Sequence, residues 1–137
     1  YYDALYEKHF ADLNLNRHQR AVKVFELFSE HETLLANQLL GALQELPGVR
    51  IIGQPQAVAN RRAATIAFVP GENKPSEIVK RLSDNFIAVR NGHFYARRCV
   101  EAVGVKDPEE GIIRVSLVHY NTEEEVGRLV EGLRALL

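Results

Sequence analysis

The run Ile112–Leu137, "IIRVSLVHYNTEEEVGRLVEGLRALL", constrains the fold more than any other. Its first part alternates. Ile113, Val115 and Leu117 fall on one face of an extended strand, and Arg114 and Ser116 on the other, with Ile112 and Val118. The second part has helical period. Thr122 and Glu125 stand at capping-box spacing, and Glu123, Glu124 and Glu125 crowd the first turn, where the helix dipole favours negative charge. Val126, Leu129, Val130, Leu133, Leu136 and Leu137 then form one apolar stripe. Such a strand feeding such a helix predicts a sheet covered by helices on one face. The face that carries Arg114 and Ser116 is left either to solvent or to a cleft.

The rest of the chain fits that frame. Tyr2–Phe10 reads as a short amphipathic helix with Tyr2, Leu5, Tyr6 and His9 on one face, broken at Leu13–Asn16. Asn14 or Asn16 can cap a long helix from about Arg17 to Leu46, whose apolar positions Val24, Phe25, Phe28, Leu35, Leu39 and Leu43 recur at helical spacing. Pro47-Gly48 stops it. Strands are predicted at Val49–Gln54, Ala63–Pro70, Phe86–Arg90 and Ile112–Val118. Helices are predicted at Pro75–Asp84, with proline in the first turn, and at Phe94–Val103. The expected architecture is α+β: a two-layer sandwich with a short, four-stranded, mainly antiparallel sheet, helices on one face and a long helix in front. Residues 1–46 read as a linker and long-helix region and 47–137 as a small α+β domain. A helix of about 45 Å at 1.5 Å per residue is longer than a domain of this size needs, and bridges well to a neighbouring one.

Composition excludes several function classes. The net charge of −1 gives no electrostatic footprint for nucleic acid. No apolar run approaches the roughly 20 residues of a membrane span. The single cysteine, Cys99, forms no internal disulfide and fits a reducing compartment, so a cytoplasmic location is expected. The chain holds no methionine and opens on Tyr1-Tyr2, which suggests a piece of something longer.

Several residues could carry chemistry. Arg90 and Arg114 sit at or in apolar strands; a guanidinium grips a carboxylate or phosphate through two parallel hydrogen bonds. A solvated strand arginine or a surface ion pair is the blander and, from spacing alone, the stronger reading. His93 follows Gly92 and could stack on a planar ligand, cap a helix or pack. Phe94 and Tyr95 at a helix start are more often core or interface than ligand contacts. Cys99 is either inert packing or, beside Arg97 and Arg98, a reactive thiol. Thr122 has its cap to make and Asn121 can hold the turn, whereas His119 and Tyr120 show no structural duty and could line an interface. "HETLL" at His31–Leu35 opens like a zinc-protease motif, but Leu35 replaces the second histidine and the signal fails.

Two segments change this balance together. "VRNGHFYA" followed by "IIRVSLVHYNTEEEVGRLVEGL" resembles the C-terminal domain of class V aminotransferases, in particular the cysteine-desulfurase-like branch of these fold-type-I enzymes. The likeness covers most of the chain, including the long helix and "LPGVRIIG". It implies that Arg114 holds an amino-acid substrate's α-carboxylate, and that Arg90, Gly92 and His93 match an active-site arginine and Gly-His pair. Tyr95 stands where desulfurases place the cysteine nucleophile, and "GHFYA" points to a subgroup without it. A phenol of pKa about 10 is a poor replacement for a thiol of about 8.5, so a related reaction on an amino acid is expected rather than desulfuration itself.

The resemblance also implies pyridoxal phosphate in the full-length protein, held as a Schiff base on a lysine of a large N-terminal domain. None of Lys8, Lys23, Lys74, Lys80 and Lys106 matches that lysine's segment, so no catalytic residue and no cofactor are expected in this chain. Tyr1–Tyr6 matches the helix leading out of the large domain. Expected partners are an amino-acid substrate, that large domain and a second copy of the parent in a homodimer, with no nucleic acid or membrane. The competing reading is a free-standing α+β ligand-binding or dimerisation module without catalysis, offering the open sheet face to a partner or a small anion. A family member that keeps the cofactor but has lost turnover is a third.

Overall fold

A computed structural model describes residues 1–10 and 14–137. The described elements, in order, are α1 (Tyr2–His9), α2 (Arg17–Glu45), β1 (Val49–Ile52), β2 (Thr65–Pro70), α3 (Pro75–Asp84), β3 (Arg90–Gly92), α4 (Arg97–Ala102), β4 (Ile112–Ser116) and α5 (Glu123–Arg134). Every neighbouring pair in the sheet is antiparallel, and the strand order is β1-β2-β4-β3. The architecture is α+β, as expected. The break expected at Leu13–Asn16 lies partly outside the described residues.

Local chemistry sets the helix ends. Of the two candidate caps for α2, Asn16 is the one used: its side chain accepts from the Gln19 N–H at 3.0 Å while Gln19 accepts from the Asn16 N–H at 3.0 Å. The same reciprocal pair starts α5. Thr122 Oγ1 accepts from the Glu125 N–H at 3.2 Å, and the Glu125 carboxylate accepts from the Thr122 N–H at 3.0 Å. Both boxes satisfy helix N–H groups that would otherwise lack partners.

The main core lies between one face of the sheet and the helices. Leu35, Ala36, Leu39, Leu40 and Leu43 of α2 meet Ile66 and Phe68 of β2, Ile113 and Val115 of β4, Ile78 and Leu82 of α3, and Val126, Leu129, Val130 and Leu133 of α5. Burying each of the Leu, Ile, Val and Phe side chains stabilises the fold by about 1.5–3 kcal/mol. Tyr6 and Val24 are equally buried but stand apart from that cluster. Tyr6 stacks on Phe10, with ring centroids 5.0 Å apart, and the Arg20 guanidinium lies 5.4 Å from its centroid. Val100 of α4 is also buried outside the main cluster.

Several boundaries differ from expectation. Phe86–Val89 is not strand, and only Arg90–Gly92 pairs with β4. Phe86 takes φ +61° and is exposed, so the chain leaves α3 through a left-handed residue before it can extend. The helix expected from Phe94 begins at Arg97, because Phe94 and Tyr95 both take positive φ, +49° and +61°. The first strand ends at Ile52, the second begins at Thr65 and the last ends at Ser116. Phe25, expected on the apolar stripe of α2, is exposed.

Candidate functional site

The site grows from the register of two strands. β3 pairs with β4 so that Arg90 stands directly opposite Arg114. Directly opposed residues of an antiparallel pair project from the same side of the sheet, where like charges repel. Ile113 and Val115, either side of Arg114, are buried in the helical core. Pleating therefore sends Arg114 and Arg90 to the other face. On that face Ile52, Ala67, Arg114 and Arg90 form one row across all four strands.

Neither guanidinium has a carboxylate partner among the described residues. Among the described residues, Arg97 pairs with Glu101 and Glu109, Arg134 with Glu45 and Arg17 with Asp3, but no ion pair or side-chain hydrogen bond includes Arg90 or Arg114. Arg114 is half-buried and Arg90 exposed. What Arg114 does have is an aromatic face: its guanidinium carbon lies 4.0 Å from the centroid of the Phe94 ring.

The segment that supplies this ring is tightly built. Gly92, at φ +126°, ends β3 against Gly111, where a side chain on Gly111 would overlap the Gly92 backbone. Asn91 Nδ2 donates to the Glu110 carbonyl at 3.1 Å, tying the strand to the same loop. Next the chain reverses: the Ala96 N–H donates to the His93 carbonyl at 2.7 Å across Phe94 and Tyr95. Positive φ at both central residues is the pattern of a type I′ turn, which Asn and Gly favour and aromatic residues do not. Tyr95 is fully solvent-exposed at its tip, and Cys99, read as a packed thiol or a reactive one, is exposed on α4. His93 is half-buried, and its Nδ1 is buried without a hydrogen-bond partner.

Of the residues singled out in the sequence, the structure brings Arg90 and Arg114 together. His93 and Tyr95 flank Phe94 in the same turn but form no hydrogen bond to either arginine among the described residues. Phe94 was not expected to touch the site. No sequence signal links it to position 114, because the contact depends on the register of β3 against β4. His119 has a structural duty after all: it stacks on Phe28, with ring centroids 3.8 Å apart, and its Nε2 lies 2.9 Å from the Tyr1 hydroxyl. Asn121 does hold the turn, its Oδ1 accepting from the Val118 N–H at 2.9 Å while its Nδ2 donates to Glu125. That bond and the one from the Thr122 N–H hold the Glu125 carboxyl below the usual carboxylate range.

The lysines lie elsewhere. All five are exposed. Lys23 pairs with Glu26, Lys74 with Glu77, Lys80 with Asp84 and Lys106 with Glu72. None belongs to β3, β4 or the turn between Gly92 and Arg97. Among the described residues, no group of three or more His, Cys, Asp or Glu could hold a metal ion. The arrangement thus sets two opposed guanidinium groups on the sheet face away from the helical core, with no lysine among the described residues on the strands or turn that carry them.

The chain belongs to the class-V aminotransferase family, whose model matches residues 22–129. It is 32% identical over 117 residues to the aminotransferase-like protein FGM3 of Gibberella zeae, covering 84% of this chain and 29% of that protein. It is 38% identical over 108 residues to a cysteine desulfurase of Cronobacter sakazakii, covering 79% of this chain and 24% of that one. Among solved structures, the apo cysteine desulfurase from Thermococcus onnurineus NA1 superposes with a TM-score of 0.69 at 26% identity, over 80% of this chain and 26% of that chain. The chain therefore spans less than a third of the length of these relatives.

Proposed function

We propose that this chain is the substrate-carboxylate side of a pyridoxal-phosphate-dependent class-V enzyme acting on an amino acid. The observation that carries the reading is the pair of opposed, carboxylate-free guanidinium groups at Arg90 and Arg114 on the open sheet face. Two like charges held side by side destabilise a fold unless an anion joins them. Arg114 is the better fork, since it is half-buried and its polarity is not consumed by an acidic neighbour. It would accept the α-carboxylate through two parallel charge-assisted hydrogen bonds, each worth about 1.5–3 kcal/mol. Arg90 adds the second charge, and His93 and Tyr95 line the approach.

Pyridoxal phosphate, when bound, supplies the electron sink for chemistry at the amino acid's α-carbon. This chain's residues do not fit it as a covalent site. The lysines are exposed, four of them paired with acids on helices and loops, away from the two arginines. The cofactor would then be housed on further polypeptide, from which residues 1–46 lead into the domain of residues 47–137. With Tyr95 at the position of the desulfurase nucleophile, sulfur transfer through that position is not part of this reading.

The test is a titration of the chain with glycine, followed by NMR at the arginine Nε–Hε groups. Saturable shifts at Arg114 and Arg90 are expected, and Arg114→Ala should abolish the response at Arg90. In the intact polypeptide the same substitution should raise the amino-acid requirement about 100-fold or more, as the loss of two such bonds requires, with cofactor loading unchanged. Equal glycine response in wild type and Arg114→Ala would remove Arg114 from the site.

A further inference from the structure

We infer that Phe94 is the positioning residue of the anion grip: its ring fixes the plane of the Arg114 guanidinium and so decides which of the two arginines presents its fork. This deepens the carboxylate reading above and rests on it only for the ligand, not for the contact.

Three observations meet at Phe94. The first is the contact itself, with the guanidinium carbon 4.0 Å from the ring centroid. A guanidinium is planar and all its N–H bonds lie in that plane. A ring over its face therefore orients it without consuming a donor, whereas an acidic partner would orient it and fill the edge a carboxylate needs. Secondly, the two arginines are unequal. They are opposed in register, yet Arg114 has the ring and is half-buried, while Arg90 is exposed and has neither ring nor acid among the described residues.

The third observation is the turn. Positions 94 and 95 both take positive φ, a conformation that suits Asn or Gly and disfavours an aromatic residue. The turn's own geometry thus gives no reason for phenylalanine at 94. The side chain's contact with Arg114 does. A residue that breaks a local rule while satisfying a distant contact is what a preorganised site produces.

The experiment uses the chain labelled with nitrogen-15 and reads the Arg114 Nε–Hε group. In wild type this group should be ordered on the picosecond-to-nanosecond scale and ring-current shifted. Phe94→Leu should free it, with the backbone amides of β4 unmoved and the Nε of Arg97, held by its ion pairs, unchanged. Phe94→Asn removes the ring from a residue better suited to the backbone, so it keeps the test open if Phe94→Leu folds poorly. Phe94→Trp should restore order. Glycine affinity should fall about tenfold in the Leu and Asn variants and recover with Trp.

If Arg114 Nε is as ordered in Phe94→Asn as in wild type, the positioning role is overturned, whatever glycine does. If order is lost but glycine binds to neither protein, the positioning role stands and the carboxylate reading falls.

Discussion

Gly111 lies so close to the Gly92 backbone that a Cβ added to it would stand 2.2 Å from the Gly92 carbonyl, whereas one added to Gly92 would meet nothing within 4 Å. Their bridge joins the end of β3 to the loop before β4, and both take positive φ. The opposition of Arg90 and Arg114 is therefore anchored at one end by the two smallest residues available.

Replacing Gly111 by Ala should cost on the order of 2–4 kcal/mol, from the overlap with Gly92 and from the left-handed backbone together. Gly41→Ala is the matched control. It lies inside α2, and an added Cβ meets nothing within 4 Å, so it should stabilise the chain by about 0.5–1 kcal/mol. Urea unfolding of the two variants should move the midpoint in opposite directions; a neutral Gly111→Ala would mean that the β3–β4 junction yields readily.

Removing one charge should help the fold and harm the grip. Arg90→Thr takes away a cross-strand like-charge pair and leaves a strand-favouring residue. A gain of about 0.2–1 kcal/mol is expected at low ionic strength. The gain should shrink as salt rises from about 0.01 to 1 M, because both groups are reached by solvent and screening shortens to about 3 Å. Thermal melts across that salt series, with glycine binding measured beside them, separate the two effects. A gap that persists at 1 M would point to packing rather than charge.

The cap of α5 should report on pH. Glu125 is held below the usual carboxylate range by the Asn121 side chain and the Thr122 N–H. Its ionised form thus favours the folded chain at neutral pH, and that contribution is lost as pH falls through the depressed value. Glu125→Gln should melt below wild type at pH 7. The difference should close progressively below the ordinary glutamate range, where the wild-type side chain becomes neutral too. Parallel melting curves from pH 7 to pH 3 would show that the charge of Glu125 does not matter to the cap.

What the sequence discloses here follows the range of the forces involved. The α5 cap and stripe, the stop at Pro47-Gly48 and the face assignment of Arg114 all rest on neighbours within a few residues, and all are legible. β3 and the turn after it are not. Phe86, Phe94 and Tyr95 adopt positive φ against their own preferences, and of the three Phe94 has its ring on a distant residue, Arg114. The register that opposes Arg90 to Arg114, and the stack of His119 on Phe28, are likewise long-range and leave no local mark. Phe25 misleads for a different reason. It has the right spacing, but α2 extends beyond the sheet that would have covered it.

That overhang divides the chain's resistance to opening. Tyr6 and Val24 are buried outside the larger cluster, and besides α2 itself the ties across include His119, stacked on Phe28 and bonded to the Tyr1 hydroxyl, and His31, bonded to the Asn121 carbonyl. Once those ties part, the first helix and the opening turns of the second can detach together while the sheet keeps its cover. Amide exchange should then fall into two tiers, with fast protons before Leu35 and slow ones after it, and a protease would meet a frayed arm on an intact body.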